Sequence, residues 1–215
     1  MLAHFAHALN SSRWDSTDPP PKSENIGVTC AVARGRALFW QGEYQEQTIK
    51  ILRGVVRVIR LLEDGNRQVL AFYWPGDIVP VHALSRLFTA ETVTPCQIVR
   101  CNFVKGVCTQ DGLRDINQIL EYMLSLLLMM GQKNSISRIA SLLLSIRRHL
   151  PSDTKRQKCF QLSLPRADIA DHVGTSVETV CRTLAEFKAR KLIELPTRKT
   201  IRFLDIAGLS RIAHA

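Results

Sequence analysis

The sequence predicts an α+β fold in successive parts, on three observations. Between residues 26 and 110, short apolar stretches alternate with Gly and Asp turns. Between 111 and 134, apolar residues recur three and four apart. From 135 to 215, two short helical patterns around a glycine are followed by a hairpin pattern. Residues 1–25 end in the polar, proline-rich run DSTDPPPKSEN and read as a flexible tail and linker.

IKILRGVVRVIRLL alternates around Gly54, with Ile49, Ile51, Val56, Val58 and Leu61 expected to face a core. The following EDGN holds Asp64-Gly65, a strong hairpin signal, and RQVLAFYW returns as a strand. PGD at 75–77 is a further turn, and ETVTPCQIVRCN reads as a final β pair broken at Pro95. Many short strands with regular turns imply a small barrel or jelly roll.

The period then changes. Ile116, Ile119, Met123, Leu126 and Met130 form a heptad seam, which implies a helix paired with another helix and a homodimer. A second run at Ile136, Ile139, Leu143 and Ile146 is out of phase with the first. A bend is therefore expected in GQKNS, at Gly131 or Asn134. Packing of both runs on their own domain is the other reading.

In the last third, Pro165 suits a helix start, and Ala167, Ile169, Ala170 and Val173 belong to a short helix. Gly174 ends it as a left-handed residue, and Ser176 is an N-cap for the next helix. There Val180, Leu184 and Phe187 make the inner stripe. KLIELPTRKTIRFL supplies two strands around Thr197, Arg198 and Lys199. A helix–turn–helix followed by a hairpin is a winged helix.

With that stripe inside, Val177, Glu178, Cys181 and Arg182 look outward near the start of the second helix. In a helix–turn–helix this end enters the major groove of double-stranded DNA. Arginine gives two hydrogen bonds to guanine, and glutamate accepts from cytosine. A Glu178–Arg182 surface ion pair is the competing role. Phosphate contacts are expected from Arg166, Thr175, Ser176, Lys188, Arg198, Lys199 and the amides at the helix start. A thiol near a helix N-terminus and beside Arg182 also makes Cys181 a redox candidate; a compact substitute for serine is the plainer role.

Charge agrees with a polyanionic partner. The chain carries 29 Lys/Arg against 19 Asp/Glu, a net +10, and residues 151–215 alone hold 12 against 7. The apolar stretch MLSLLLMMG is too short to span a bilayer, and no secretory leader opens the chain. A cytoplasmic protein with free thiols and no membrane partner is expected. The six cysteines form no C-x2-C pair, so no metal site is expected. His82 and His172 stand isolated, and no nucleophile–base set or phosphate loop appears, so catalysis is not expected.

The segments ILRGVVRVIRLLEDGNRQVLAFYWPGD, SISRIASLLL and LSLPRADIADHVGTSVETVCRTLAEFKARKLIEL resemble the cyclic-AMP receptor protein / fumarate–nitrate reduction regulator (Crp/Fnr) superfamily over about residues 30–210. RADIADHVG and VETVCR resemble its FixK-type branch, regulators of microaerobic respiration and nitrogen fixation. The resemblance implies a cyclic-nucleotide-binding-type β-roll, a long dimerisation helix and a C-terminal winged helix. It also implies an activator that works with RNA polymerase on a site like TTGAT-N4-ATCAA. Glu178 and Arg182 match the family's base-reading pair, Val177 matches an apolar position able to touch a thymine methyl, and Cys181 departs from a common serine. Cyclic-AMP binders carry a Gly-Glu pair and, some ten residues on, an Arg-Ser/Thr pair. This chain has Gly76-Asp77 and a displaced Arg86. Iron–sulfur sensors of the family carry an N-terminal cysteine cluster, where this chain has only Cys30; His4 and His7 would be the haem candidates. No cofactor is therefore expected, with a ligand-gated regulator as the alternative.

Overall fold

The structure is a computed structural model. It describes residues 28–102 except 44 and 46, helical residues 120, 123, 124 and 127–130, and then residues 131–132, 134–149, 159–161, 164–197 and 200–214. The tail and linker expected at 1–25 lie outside the described residues, as do Ile116, Ile119, Leu126, Arg198 and Lys199.

Among the described residues eight strands build the N-terminal roll: β1 (Val28–Val32), β2 (Ala37–Phe39), β3 (Gln47–Arg53), β4 (Val56–Leu61), β5 (Arg67–Tyr73), β6 (Ile78–Val79), β7 (Thr89–Thr92) and β8 (Cys96–Asn102). A short helix, α1 (Val81–Leu84), precedes β7. They form two antiparallel four-stranded sheets, ordered β1-β8-β3-β6 and β2-β7-β4-β5. Side chains alternate across each strand. Ile49, Ile51, Val56, Val58, Ala71, Tyr73 and Ile98 therefore meet between the sheets.

The β4–β5 hairpin turns at Asp64-Gly65, where Gly65 has φ 81° and its amide donates to the Leu62 carbonyl. Gly54, at φ 91°, lies so close to the Pro95 carbonyl and the Cys96 thiol that a Cβ there has no room.

Two expectations are corrected here. Leu61 is 48% exposed rather than in the core. It lies three residues from Val58, hence on the opposite face of β4, near the hairpin tip. The stretch read as one β pair around Pro95 is also split between sheets: β7 pairs with β2 and β4, whereas β8 pairs with β1 and β3.

The second sheet is buried on both faces. Its outward residues Ile59, Val69, Phe72 and Trp74 join one apolar core with the C-terminal half. A bulge at Leu70, opposite the Val58–Ile59 step, keeps Val69 and Ile59 together on that outer face.

The C-terminal half holds α2 (Ser135–Arg148), β9 (Cys159–Gln161), α3 (Arg166–Val173), α4 (Val177–Ala189), β10 (Ile193–Thr197), β11 (Thr200–Phe203) and α5 (Ile206–Ala213). Asn134 caps α2 by accepting from the Ser137 amide at 2.8 Å, which sets the break expected in GQKNS. The wing has three strands, β10-β11-β9, where the sequence suggested two.

Of the expected seam, Met123 and Met130 fall among the described helical residues 120, 123, 124 and 127–130. Met123 is half-buried against the roll core. Leu120, Leu124, Leu127, Leu128 and Met130 are exposed, whereas Met129 is buried. The exposed stripe 120-124-127 keeps the heptad spacing one residue away from Met123. The helix is apolar on several faces, so its own periodicity does not choose which one turns inward.

Candidate DNA interface

Helices α3 and α4 meet through Ile169, Ala170 and Val173 on one and Val180, Leu184 and Phe187 on the other, all at most 2% exposed. Between them Gly174 adopts φ 65°, ψ 57°, and its amide donates to the Ala170 carbonyl; the Thr175 amide donates to the same oxygen at 3.0 Å. Ser176 begins α4 as its N-cap, its Oγ accepting from the Thr179 amide at 3.1 Å. Four local devices thus set the angle at which α4 leaves the turn: a left-handed glycine, a shared carbonyl, a cap and an apolar stripe.

Burying that stripe turns Val177, Glu178, Cys181 and Arg182 outward, and all four are exposed. Val177 is 45% exposed, an apolar side chain left in water at the very start of the helix. Glu178 and Arg182 do not pair with each other. Arg182 Nη2 instead donates to Thr179 Oγ1 at 3.4 Å, a long bond that leaves the rest of its guanidinium fork open. A carboxylate acceptor and a bidentate donor thus stand free, one helical turn apart, on one face.

Arg166 sits behind this face. It is half-buried at the start of α3 and lies near Cys181. Burial pushes its guanidinium pKa down, and the neighbouring Cys181 pulls the other way. Thr175 is half-buried and Ser176 exposed; the Ser176 hydroxyl is already engaged as the cap. Lys188 is exposed but ten residues beyond Glu178, about 15 Å along the axis, so it is not brought to the base-facing end. In the wing, Arg202 Nη1 pairs with Glu194 at 2.8 Å.

Sequence reasoning missed a second cluster, on the far side of α3. Asp168 has no side-chain exposure, and both its oxygens accept from Arg57 Nη1, at 2.6 and 2.7 Å. Arg67 Nη2 donates to the same carboxylate at 2.7 Å, and Arg67 Nε reaches Asp171 at 2.9 Å. Arg57 also donates to Glu91 from Nη2 at 2.6 Å. Burial opposes the Arg57 charge, but the hydrogen bonds to Asp168 and then Glu91 outweigh it and leave its pKa raised. One turn along, His172 is buried. Its Nδ1 donates to the Val69 carbonyl at 3.1 Å, and its ring meets Phe72 edge-on at 5.1 Å. Burial depresses the His172 pKa to about 4. A cue for this cluster was an arginine in the middle of the apolar strand VVRVI, where a charged side chain calls for a partner.

Comparisons with known proteins agree with this architecture. Residues 30–103 match the cyclic nucleotide-binding domain and residues 137–212 the Crp-like helix-turn-helix domain. The nitrogen fixation regulation protein FixK of Azorhizobium caulinodans is 29% identical, over 97% of this chain and 92% of its own length. The transcriptional activatory protein AadR of Rhodopseudomonas palustris is 30% identical, over 83% and 78%. The structure of FixK2 from Bradyrhizobium japonicum superposes with a TM-score of 0.80 at 23% identity, over 88% of this chain and 98% of that one.

A roll of this type joined to a winged helix–turn–helix defines a class of transcription regulators rather than enzymes. Within that class the chain belongs to the Crp/Fnr family and is of the FixK type.

Proposed function

We propose that the chain is a homodimeric transcription activator of microaerobic or anaerobic respiration or nitrogen-fixation genes. It binds a palindrome resembling TTGAT-N4-ATCAA as one DNA-reading helix per subunit, with no bound cofactor, and acts with RNA polymerase in the cytoplasm. The observation that carries this reading is the free, outward pair Glu178 and Arg182 at the capped start of α4. Val177 and Cys181 lie beside them, within reach of a thymine methyl. Arg166, Thr175, Ser176, Lys188, Arg198 and Lys199 are the proposed phosphate contacts. The names of the two relatives support the gene class and the activating sign. Among the described residues no helix is long and apolar enough to cross a membrane.

The dimer interface is the connecting helix. Ile116, Ile119, Leu126 and Met130 remain its proposed members, and the exposed Leu120, Leu124 and Leu127 add a second line of contacts. Met123 is a further proposed member, half-buried against its own roll. A gel shift on the palindrome with purified protein and no ligand is the test. Binding lost in both Glu178→Ala and Arg182→Ala supports the reading; unchanged specificity in both rejects the base-reading pair.

Cys181 adds redox control to this reading. Its thiol is exposed, beside Arg166. Two equivalents of hydrogen peroxide convert a thiolate to a sulfinate with release of two waters, placing fixed negative charge against DNA. Peroxide is expected to inhibit the wild type and to spare Cys181→Ser; equal inhibition of both excludes a role for this thiol. One observation favours a ligand-gated regulator instead, the match of residues 30–103 to a cyclic nucleotide-binding domain. Calorimetry with cyclic nucleotides separates the two, a micromolar binding heat favouring the gated form.

A further inference from the structure

We infer that Asp168, Arg57 and Arg67 are positioning residues for DNA recognition: they lock the helix–turn–helix against the β-roll, and so set where the two reading helices of a dimer stand. This inference rests on the dimeric DNA-binding reading above.

The contacts run between segments 101 to 111 residues apart in sequence. Asp168, Asp171 and His172 occupy one face of α3, at i, i+3 and i+4. Every one of them is tied to the roll: Asp168 to Arg57 of β4 and Arg67 of β5, Asp171 to Arg67, and His172 to the backbone of Val69. The opposite face of α3 carries Ile169, Ala170 and Val173, which hold α4. A helix pinned on both sides transmits the attitude of the roll to the DNA-reading helix.

The chemistry suits a position lock better than adhesion alone. Apolar contacts such as Ile59 and Phe72 tolerate sliding, because their attraction is non-directional. Arg57 instead divides its donors between two acceptors. Nη1 serves Asp168, while Nε and Nη2 serve Glu91, at 3.1 and 2.6 Å. Glu91 lies opposite Arg57 on the neighbouring strand, so the guanidinium plane is set by the sheet before α3 docks. Planar guanidinium–carboxylate pairs fix direction as well as distance. A second contact point lies at the C-cap of α2, where His149 stacks on Trp74 at a 6.0 Å centroid distance.

The readout is half-site spacing. Each base pair inserted between half-sites moves them about 3.4 Å apart and rotates them about 35°. A locked dimer rejects such sites; an unlocked one adapts. Full-length wild type, Asp168→Asn, Arg57→Met and Arg57→Lys are titrated against palindromes with three, four, five and six spacer base pairs, and against a four-base-pair site with mutated half-sites. Wild type is expected to prefer four over five by at least 50-fold. Asp168→Asn and Arg57→Met are expected to cut that preference at least tenfold while still rejecting the mutated half-sites, with Arg57→Lys intermediate. A spacing preference equal to wild type in folded Asp168→Asn and Arg57→Met overturns the inference.

Hydrogen exchange on the same proteins tests the lock without DNA. The variants are expected to lose protection in α3 and β5 together, with β3 and β8 unchanged. Exchange in α3 and β5 identical to wild type overturns the lock even if no palindrome is bound. A wild type that binds no palindrome while its variants lose that protection rejects the function and leaves the lock standing. Should Asp168→Asn not fold, Arg57→Lys carries both readouts.

Discussion

Acid is expected to loosen this chain through His172. The perturbation is a drop in pH from 7.5 to 4. Burial depresses the His172 pKa to about 4, from 6.5 for a free histidine, against the smaller opposing effect of the hydrogen bond to the Val69 carbonyl. The folded state therefore holds the ring neutral where the unfolded chain protonates it. That contribution is complete above pH 6.5 and is lost as the pH falls toward the folded value. The two values correspond to a loss of about 2 kcal/mol by pH 5 and about 3 kcal/mol by pH 4. The charged groups around the ring are Asp168 and Asp171 on its own helix and Arg67 on β5. Acid acts on many groups of a protein at once, so the informative quantity is a difference. Denaturant unfolding of wild type and His172→Gln is compared at half-unit pH steps. The glutamine keeps a donor for Val69 and removes the titration. The wild type is expected to lose about 3 kcal/mol more than the variant across the range. Parallel pH profiles would refute the reasoning.

Substitutions at three further positions probe the scaffold. Phe187→Ala removes a fully buried ring between α3 and α4 and is expected to cost about 3–5 kcal/mol, read from the denaturation midpoint. Gly54→Ala forces a side chain into a φ 91° residue against Pro95 and Cys96; it is expected to destabilise by more than about 1 kcal/mol and to lower the melting temperature. Ser176→Ala deletes the cap of α4 and is expected to cost about 1 kcal/mol, while Ser176→Gly costs only a few tenths, as measured by thermal unfolding.

How much of this was readable in advance follows from the range of each interaction. The helix–turn–helix was legible residue by residue, because Gly174, Ser176 and the Val180–Leu184–Phe187 stripe act within one or two turns. Ile49, Ile51, Val56 and Val58 were legible from alternation alone. Leu61 was not, because period-2 reasoning also has to decide where a strand passes beyond its cover. The separation of β7 from β8 was hidden because Pro95 marks a break but does not say which sheet follows it. Strand β9 is three residues long and, among the described residues, pairs with β11 alone, so its own sequence carries little signal. The partner of Arg57 was hidden for the same reason on a larger scale: the charge inside VVRVI calls for one but does not say that it is Asp168. Arg57, Arg67 and Glu91 come from three strands and meet α3 only after the roll has closed. At the candidate site, sequence spacing placed Glu178 and Arg182 on one face, but only the structure showed that they leave each other free.

Base reading by α4 without a ligand is measured most directly by a competition titration. Purified protein with no added nucleotide is bound to a labelled TTGAT-N4-ATCAA duplex and challenged with every single-base change in one half-site. Wild type is expected to bind at once and to discriminate by about 1–3 kcal/mol at the bases read by Glu178 and Arg182, with Arg182→Ala losing discrimination at its own base while keeping the rest. Binding that appears only after a nucleotide is supplied, or an Arg182→Ala profile identical to wild type, would contradict the account.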